Sequence, residues 1–302
     1  MFLALIAALS TLSPPSLESG VHSPVPAEVV AEFQLAPFYE KCVLVDRFPV
    51  LASGRVHDEA LLEAAYLIRA MCAHRPERLG ALADSKTRYV VMAPTEMTTA
   101  VPEHSDLTPS GYWDKRARGL GATPQRPAVS CGEENLLCFK GDPYSTENIL
   151  IHEFAHALHE MAMSQIDPTF DERLRVCYDN AIANGLWEGA YASTNRMEYF
   201  AEAAQSFFDT NRHDDNQHNH VDTRDELRTY DPCVYALCQE MFGPMPPIYV
   251  RPFDRAKGGS GVDHLARWDR SKAPIFEWPA SVVKAWDLHQ AQTLKRRPRK
   301  DK

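Results

Sequence analysis

The sequence lacks the patterns that define several common protein classes. It has no uninterrupted apolar run of about 18 residues, the length that a transmembrane helix needs, so we expect no integral membrane segment. None of its seven cysteines forms a CxxC pair, which argues against a cysteine-bound zinc ion. A net positive charge is lacking, because 41 acidic residues outnumber 32 Lys and Arg and leave a net charge of −9, whereas nonspecific nucleic-acid binding needs a basic surface. We therefore expect no nucleic-acid partner.

The composition is that of a folded globular protein. Hydrophobic residues make up 44% of the 302 residues and charged residues 24%, which excludes disorder, collagen and coiled coil as descriptions of the whole chain. The charge is distributed unevenly. Residues 295–302 hold six basic side chains and one acidic one, whereas residues 141–172 hold seven acidic side chains and no Lys or Arg. A cleft built from that acidic segment would favour divalent metal ions and basic peptides.

The N-terminus has some features of a targeting segment. Residues 1–12 are apolar but no basic residue precedes them, so a signal peptide and an apolar strand or helix both remain open. Residues 13–27 are rich in Pro and Ser and are predicted to be a linker. We expect a secreted protein, with a cytoplasmic one as the alternative. In an oxidising compartment, Cys131 and Cys138 are candidates for a disulfide across the short loop between them.

Short strands precede most of the helices, which predicts an α+β fold. Strands are expected at residues 41–46, 48–53, 88–93 and 127–131. Helices are expected at residues 58–73, 145–163, 170–184, 195–209 and 225–242, with a short one ending near residue 294. Residues 94–126 are predicted to form a loop. The expected domain covers residues 28–244, with a small mixed sheet up to about residue 140, a mainly helical part over 141–244, and an irregular extension with a basic tail over 245–302.

The motif that carries chemistry is HExxH, formed by His152, Glu153 and His156. On a helix, positions i and i+4 share one face, so the two imidazoles can bind one zinc ion. Glu153 lies beside the first ligand and can reach a water molecule at the metal. Residues 159 and 162, where the longer motif HExxHxxGxxH requires Gly and His, are His159 and Ala162. The third ligand must therefore come from another segment.

The best candidate for the third ligand is Glu198. Glu198, Glu202 and Gln205 fall on one stripe of a predicted helix whose remaining positions are largely apolar. Carboxylates among so many apolar neighbours are costly unless a cation faces them, although a solvated charged face is the simpler alternative. A zinc ion would account for both carboxylates, with Glu198 as a ligand and Glu202 orienting a histidine.

The segment Glu198-Tyr-Phe-Ala-Glu202-Ala after an HExxH motif resembles the gluzincin pattern of zinc metallopeptidases. It is most similar to the catalytic domain of the lethal-factor-type toxin metalloproteases, in which a Tyr precedes the ligand Glu by seven residues; Tyr191 has that place here. The resemblance covers roughly residues 140–210. It implies a zincin-like fold, one Zn²⁺, a peptide or protein substrate, Glu153 as the catalytic base and Tyr191 as the transition-state partner.

Several alternatives remain open at this level. A non-catalytic zincin-like module that binds a peptide or protein through the same groove is the rival to an enzyme. Residues 127–131 are expected at the sheet edge beside the HExxH helix, where an extended peptide could pair with them. The histidine-rich segment 213–220 either binds a second cation or is a solvated loop.

Overall fold

The computed structural model describes residues 20–258, 263–266 and 268–296. The possible signal segment, residues 1–12, the first part of the predicted linker, residues 13–19, and the end of the basic tail, residues 297–302, lie outside these residues. Within them the fold is α+β, with a five-stranded mixed sheet and thirteen α-helices. None of the helices in the described ranges is both long and apolar enough to cross a membrane. The division of the chain at residues 27, 140 and 244 stays a prediction.

The helices are more numerous than expected, because several are short. The strands are β1 (Lys41–Val45), β2 (Phe48–Ala52), β3 (Arg88–Met92), β4 (Gly119–Leu120) and β5 (Ala128–Gly132). The helices are α1 (Ala27–Phe33), α2 (Asp58–Cys72), α3 (Glu77–Asp84), α4 (Ser110–Arg116), α5 (Glu133–Leu136), α6 (Ile149–Ala157), α7 (Ser164–Ile166), α8 (Phe170–Ala183), α9 (Arg196–Phe207), α10 (Arg224–Tyr230), α11 (Pro232–Phe242), α12 (Pro252–Gly258) and α13 (Ala280–Arg296).

The sheet has the strand order β1-β2-β3-β5-β4. Its centre is parallel, since β3 pairs in parallel with both β2 and β5, whereas β1 and β4 are antiparallel to their neighbours. Every residue of β2, β3 and β5 is buried. Along β3, Tyr89 and Val91 face the main hydrophobic core with α2 and α6, while Val90 and Met92 face a smaller cluster that includes α1. These strands are continuous apolar runs because both faces are covered.

The sheet edge near α6 differs from the prediction. Residues 127–131 were expected to form the edge, but β5 is paired on both sides, and β4 is the outer strand. Residues 94–126, expected to be a loop, contain α4 and β4. The two-residue β4 has neither alternation nor β-branched residues, so the sequence gives no strand signal there. Its approach to α6 is close: a Cβ atom added at Gly119 would lie 2.5 Å from Ile149 Cγ2.

Helix α6, which carries the HExxH motif, begins later than expected. The helix was predicted to begin at residue 145, but its N-cap is Asn148, whose side chain accepts a hydrogen bond from the backbone N–H of Ile151 at 3.0 Å. The preceding residues form turns because the side-chain amide of Asn135 donates to the carbonyl oxygens of residues 144 and 147, both at 3.0 Å. After Ala157 the helix continues as a π-helical turn, Leu158–Met163.

The expected disulfide does not form. Cys131 and Cys138 are both free: Cys131 is buried on β5 in the main core, whereas Cys138 follows α5 and is only partly buried. A disulfide instead joins Cys177 of α8 to Cys233 of α11, with 5.6 Å between the Cα atoms. The two cysteines are separated by 56 residues, so the bond closes a long loop that includes the whole of α9.

Removing that loop closure should destabilise the protein. In the chain-entropy model a loop of this length contributes about 4 kcal/mol to the free energy of unfolding. We expect the double substitution Cys177→Ser and Cys233→Ser to lower the unfolding free energy by an amount of that order, measured by chemical denaturation. The control is Cys138→Ser, which removes a free, partly buried thiol. A peptide map of the unreduced protein that lacks the 177–233 link would contradict the prediction.

Candidate active site

Two helices bring the predicted site residues together. His152 and His156 lie one turn apart on α6, which is buried on nearly all sides, and both side chains point toward α9. Glu198 lies in the first turn of α9. The N-cap of that helix, Asn195, accepts hydrogen bonds from the backbone N–H groups of Met197 and Glu198 at 2.9 and 3.0 Å. The cap therefore fixes where the carboxylate enters the space beside the two histidines.

The three candidate ligand atoms form a small triangle. His152 Nε2 lies 3.1 Å from Glu198 Oε2 and 3.3 Å from His156 Nε2, and His156 Nε2 lies 3.4 Å from the same carboxylate oxygen. Ligand atoms at about 2.0–2.1 Å from a tetrahedral zinc ion are separated by about 3.3 Å. The donor set and its spacing therefore fit zinc. Among the described residues these three form the group of His, Cys, Asp or Glu side chains that could hold a metal ion.

The charges of this triangle are strongly coupled to one another. Burial alone would raise the pKa of Glu198, but hydrogen bonds to His152 and His156 hold it well below its usual range. Burial alone would lower the pKa of His152, but the hydrogen bond to Glu198 and the charges of the nearby carboxylates raise it to about 10. These shifts favour an ionised Glu198 carboxylate. It faces the Nε2 atoms of His152 and His156, and a cation could be bound by the three groups together.

The other ring nitrogen of His152 has two acceptors on α9. Its Nδ1 lies 2.8 Å from Gln205 Oε1 and 3.5 Å from Glu202 Oε1. The sequence predicted Glu202 for the orienting role and placed Gln205 on the same stripe without giving it a function. The shorter contact belongs to Gln205. The signal that identifies it is its position, seven residues after Glu198 on one helical face.

The three candidate ligands and Glu202 line a cleft of about 480 Å³. Glu153 is half-buried in it, and burial raises its pKa. Tyr191 lies in a short 3₁₀-helix (Tyr191–Ser193), where burial and the neighbouring Glu198 carboxylate raise the pKa of its phenol. The phenol also contacts the Arg116 guanidinium, which the sequence did not single out. The structure thus brings all six predicted site residues to one place.

The C-terminal extension also reaches the cleft. Helix α13 packs against α4, where the rings of Tyr112 and Trp286 stack with 5.4 Å between centroids. Trp286 lines the cleft beside Arg116. The region 245–302, predicted to be an irregular extension, therefore contains a helix, α13, whose Trp286 forms part of the wall of the cleft.

Two further histidines near the site, His159 and His218, contact other carboxylates. His159 points away from the metal ligands, and its Nε2 lies 2.9 Å from Asp171 Oδ1. In the segment 213–220, His218 lines the cleft, with its Nε2 3.3 Å from Glu202 Oε2. Among the described residues, this segment contributes to no second group that could hold a metal ion.

Comparisons with known proteins give little guidance. No protein-family model matches the sequence, and no curated protein is significantly similar to it. Among solved structures, the chain is similar to the Pro-Pro endopeptidase of Paenibacillus alvei, with 19% sequence identity and a TM-score of 0.36. The similarity covers 63% of this chain and 94% of that one. A similarity at this level carries no argument about function.

Close packing of the sheet edge on α6 gives a first test. A Cβ atom at Gly121 would lie 2.8 Å from His156 Cβ, so Gly121→Ala must displace a candidate ligand or the edge strand. We expect it to lower the unfolding free energy by about 1–3 kcal/mol. The matched control is Gly80→Ala in the interior of α3, where nothing lies within 4 Å of the added atom and a gain of about 0.5–1 kcal/mol is expected. Equal effects in chemical denaturation would contradict the close contact.

Proposed function

We propose that this chain is a zinc-dependent metallopeptidase, most similar in its site to the lethal-factor-type gluzincins and zincin-like in fold. The observation that carries the proposal is the triangle of His152, His156 and Glu198 ligand atoms, whose 3.1–3.4 Å separations suit a tetrahedral zinc ion with one position left for water or substrate. A zinc ion held there supplies Lewis-acid chemistry, because it lowers the pKa of water and polarises a carbonyl oxygen.

Glu153 has the position and the environment of a general base. It follows His152 directly in the chain and its side chain lines the same cleft. Burial raises the pKa of its carboxyl group, a direction that suits a group that first accepts and then returns a proton. In the proposed reaction Glu153 takes a proton from the attacking water and delivers it to the amine that leaves when the peptide bond breaks.

We propose that Tyr191 stabilises negative charge on the substrate. Its backbone N–H donates to the carbonyl oxygen of Gln217 at 2.6 Å, which fixes the 3₁₀-helix, and its phenol enters the cleft beside Glu198. The raised pKa of the phenol keeps it protonated, so it can donate a hydrogen bond. We propose that it donates to the carbonyl oxygen of the scissile bond as that oxygen becomes an oxyanion.

Strand β4 offers a surface for an extended peptide. It is the outer strand of the sheet, and residues 119–123 line the cleft beside the candidate ligands. A peptide that pairs with its outer edge would pass in front of Glu153 and His156. We therefore assign the strand-pairing role, which was predicted for residues 127–131, to β4.

We also propose that the protein works in an oxidising compartment, as a secreted protein does. The disulfide between Cys177 and Cys233 supports this location, because such bonds are rare in the reducing cytosol.

Zinc content and peptide cleavage, compared between wild type and Glu153→Gln, test the proposed function. We expect about one zinc ion per chain in both proteins, measured by atomic absorption, because Glu153 is not a ligand. Cleavage of a peptide library should be seen in wild type alone, since the amide cannot accept the proton of the water.

Two outcomes would contradict the enzyme. Zinc in both proteins with cleavage in neither would favour the non-catalytic binding module. Absence of zinc from both proteins would rule out the metal site. His159→Gln serves as the control, because this histidine contacts Asp171 rather than the candidate ligands.

The role of Tyr191 predicts a loss of rate without loss of metal. Tyr191→Phe should lower kcat by ~10²–10³, the usual cost of removing one oxyanion donor. Zinc content should be unchanged, because the phenol is not among the three ligand groups. Tyr178→Phe is the control: the hydroxyl of Tyr178 donates to the Ser193 carbonyl oxygen at 2.7 Å, outside the cleft. A Tyr191→Phe enzyme with the wild-type kcat would refute the assignment.

A further inference from the structure

The loop that follows α9, residues 211–222, folds back over the helix that carries the candidate ligand Glu198. Three of its residues, Arg212, Gln217 and His218, line the active-site cleft. The proposed mechanism gives this loop no role beyond the backbone contact to Tyr191. Two chains of polar contacts nevertheless run from it to the same ring, that of His152.

The first chain passes through Glu202. Asp215 Oδ1 lies 3.0 Å from His218 Nδ1, and the opposite ring nitrogen, Nε2, lies 3.3 Å from Glu202 Oε2. Glu202 Oε1 in turn lies 3.5 Å from His152 Nδ1. His218 is well shielded, with only 6% of its side chain exposed, and Glu202 is 3% exposed.

The second chain passes through Gln205. Asp215 Oδ2 lies 2.5 Å from Arg212 Nη2, and Arg212 Nη1 lies 3.6 Å from Glu147 Oε1. The other oxygen of Glu147 accepts a hydrogen bond from Gln205 Nε2 at 3.1 Å. This contact orients the Gln205 amide so that its oxygen faces His152 Nδ1 at 2.8 Å. The two chains therefore start at one carboxylate, Asp215, and end at one nitrogen.

The loop also determines which oxygen of Glu202 is left for the metal site. A carboxylate buried this deeply is stable only when its lone pairs are satisfied. Oε2 is occupied by the amide of Asn211 at 3.1 Å and by His218 at 3.3 Å, both from the loop. Oε1 is consequently the oxygen that faces His152. Without His218, the carboxylate would lose its only ring donor from the loop and could turn away from His152.

We propose that the 211–222 loop is a positioning element for the zinc site, in which His218 acts on the ligand His152 through Glu202. The inference rests on the proposed function, since it concerns how the zinc ligands are held. Groups that orient a ligating histidine typically change metal affinity by about 10- to 100-fold when they are removed. His218 is thus a positioning residue, and it contributes to zinc affinity without contacting the ion.

Zinc affinity, measured by competition with a chromophoric chelator, tests the role of His218. His218→Leu should raise the zinc dissociation constant by at least about 10-fold. His218→Gln, whose amide can still donate to Glu202, should recover part of the loss. The matched control is His213→Gln in the same loop, because His213 is exposed and faces Asp214 and Asp222 rather than the cleft. It should keep the wild-type affinity.

A double-mutant cycle separates positioning from an independent contribution. If His218 acts through Glu202, His218→Leu should add little to the loss of zinc affinity already caused by Glu202→Gln. Additive losses would overturn the inference, because they would show that His218 acts by another route. The absorption spectrum of the Co²⁺-substituted protein gives a second readout, and we expect it to change in His218→Leu but not in His213→Gln.

The outcomes distinguish this inference from the proposed function. A wild-type protein that binds no zinc would refute both. Stoichiometric zinc and peptide cleavage in wild type, together with wild-type zinc affinity and Co²⁺ spectrum in His218→Leu, would overturn the positioning role alone. If His218→Leu fails to fold, as judged by circular dichroism, His218→Ala takes its place, because alanine also cannot donate to Glu202. A zinc affinity and a Co²⁺ spectrum of His218→Ala equal to those of His213→Gln would overturn the inference.

Discussion

The packing of α9 against α6 places two imidazoles and two carboxylates beside the main hydrophobic core. Buried charges are stable only when they are paired and hydrogen-bonded, so this contact constrains everything around it. Glu198 faces two ring nitrogens, and Glu202 is held by groups from the loop after α9. Asn148 and Asn195 cap the N-termini of the two helices. They thereby fix where along each helix axis these side chains lie. A zinc ion bound by His152, His156 and Glu198 would balance the negative charge of the Glu198 and Glu202 carboxylates.

The sheet is built to let α6 approach its edge. The outer strand lies so close to the helix that Gly119 and Gly121 are needed where it crosses Ile149 and His156. The same closeness brings the outer edge of β4 to the candidate ligands, where a substrate could pair with it. Glycine at positions 119 and 121 therefore lets the sheet edge pack against α6 and keeps that edge close to the candidate ligands. Another part of the cleft wall is formed by Trp286 of α13, a helix that begins 124 residues after His156 in the chain.

The sequence predicted the parts of the site that local patterns define. His152 and His156 share a helical face by their spacing, and Glu198 shares a stripe with Glu202, so their chemistry follows from periodicity. Arg116 enters the cleft through tertiary packing, and no local pattern marks it. The histidine-rich pattern marked the segment 213–220, but only tertiary packing determines that His218 is the histidine of this segment that lines the cleft. The disulfide shows the same limit: nearness in sequence suggested Cys131 with Cys138, but the buried strand keeps Cys131 in the core. The α+β class followed from element order, whereas β4 was too short to carry a strand signal.

The structure also changes what the acidic segment 141–172 implies for substrates. Glu147, one of its acids, is engaged by Gln205 and Arg212 inside the site, so it contributes little to the field that a substrate meets. Glu153 and Glu160 line the cleft, and among the described residues neither has an ion-pair partner within 4 Å. Glu153 is the proposed base. Any preference for basic peptides would therefore depend on Glu160, one turn beyond His156, rather than on the net charge of the segment.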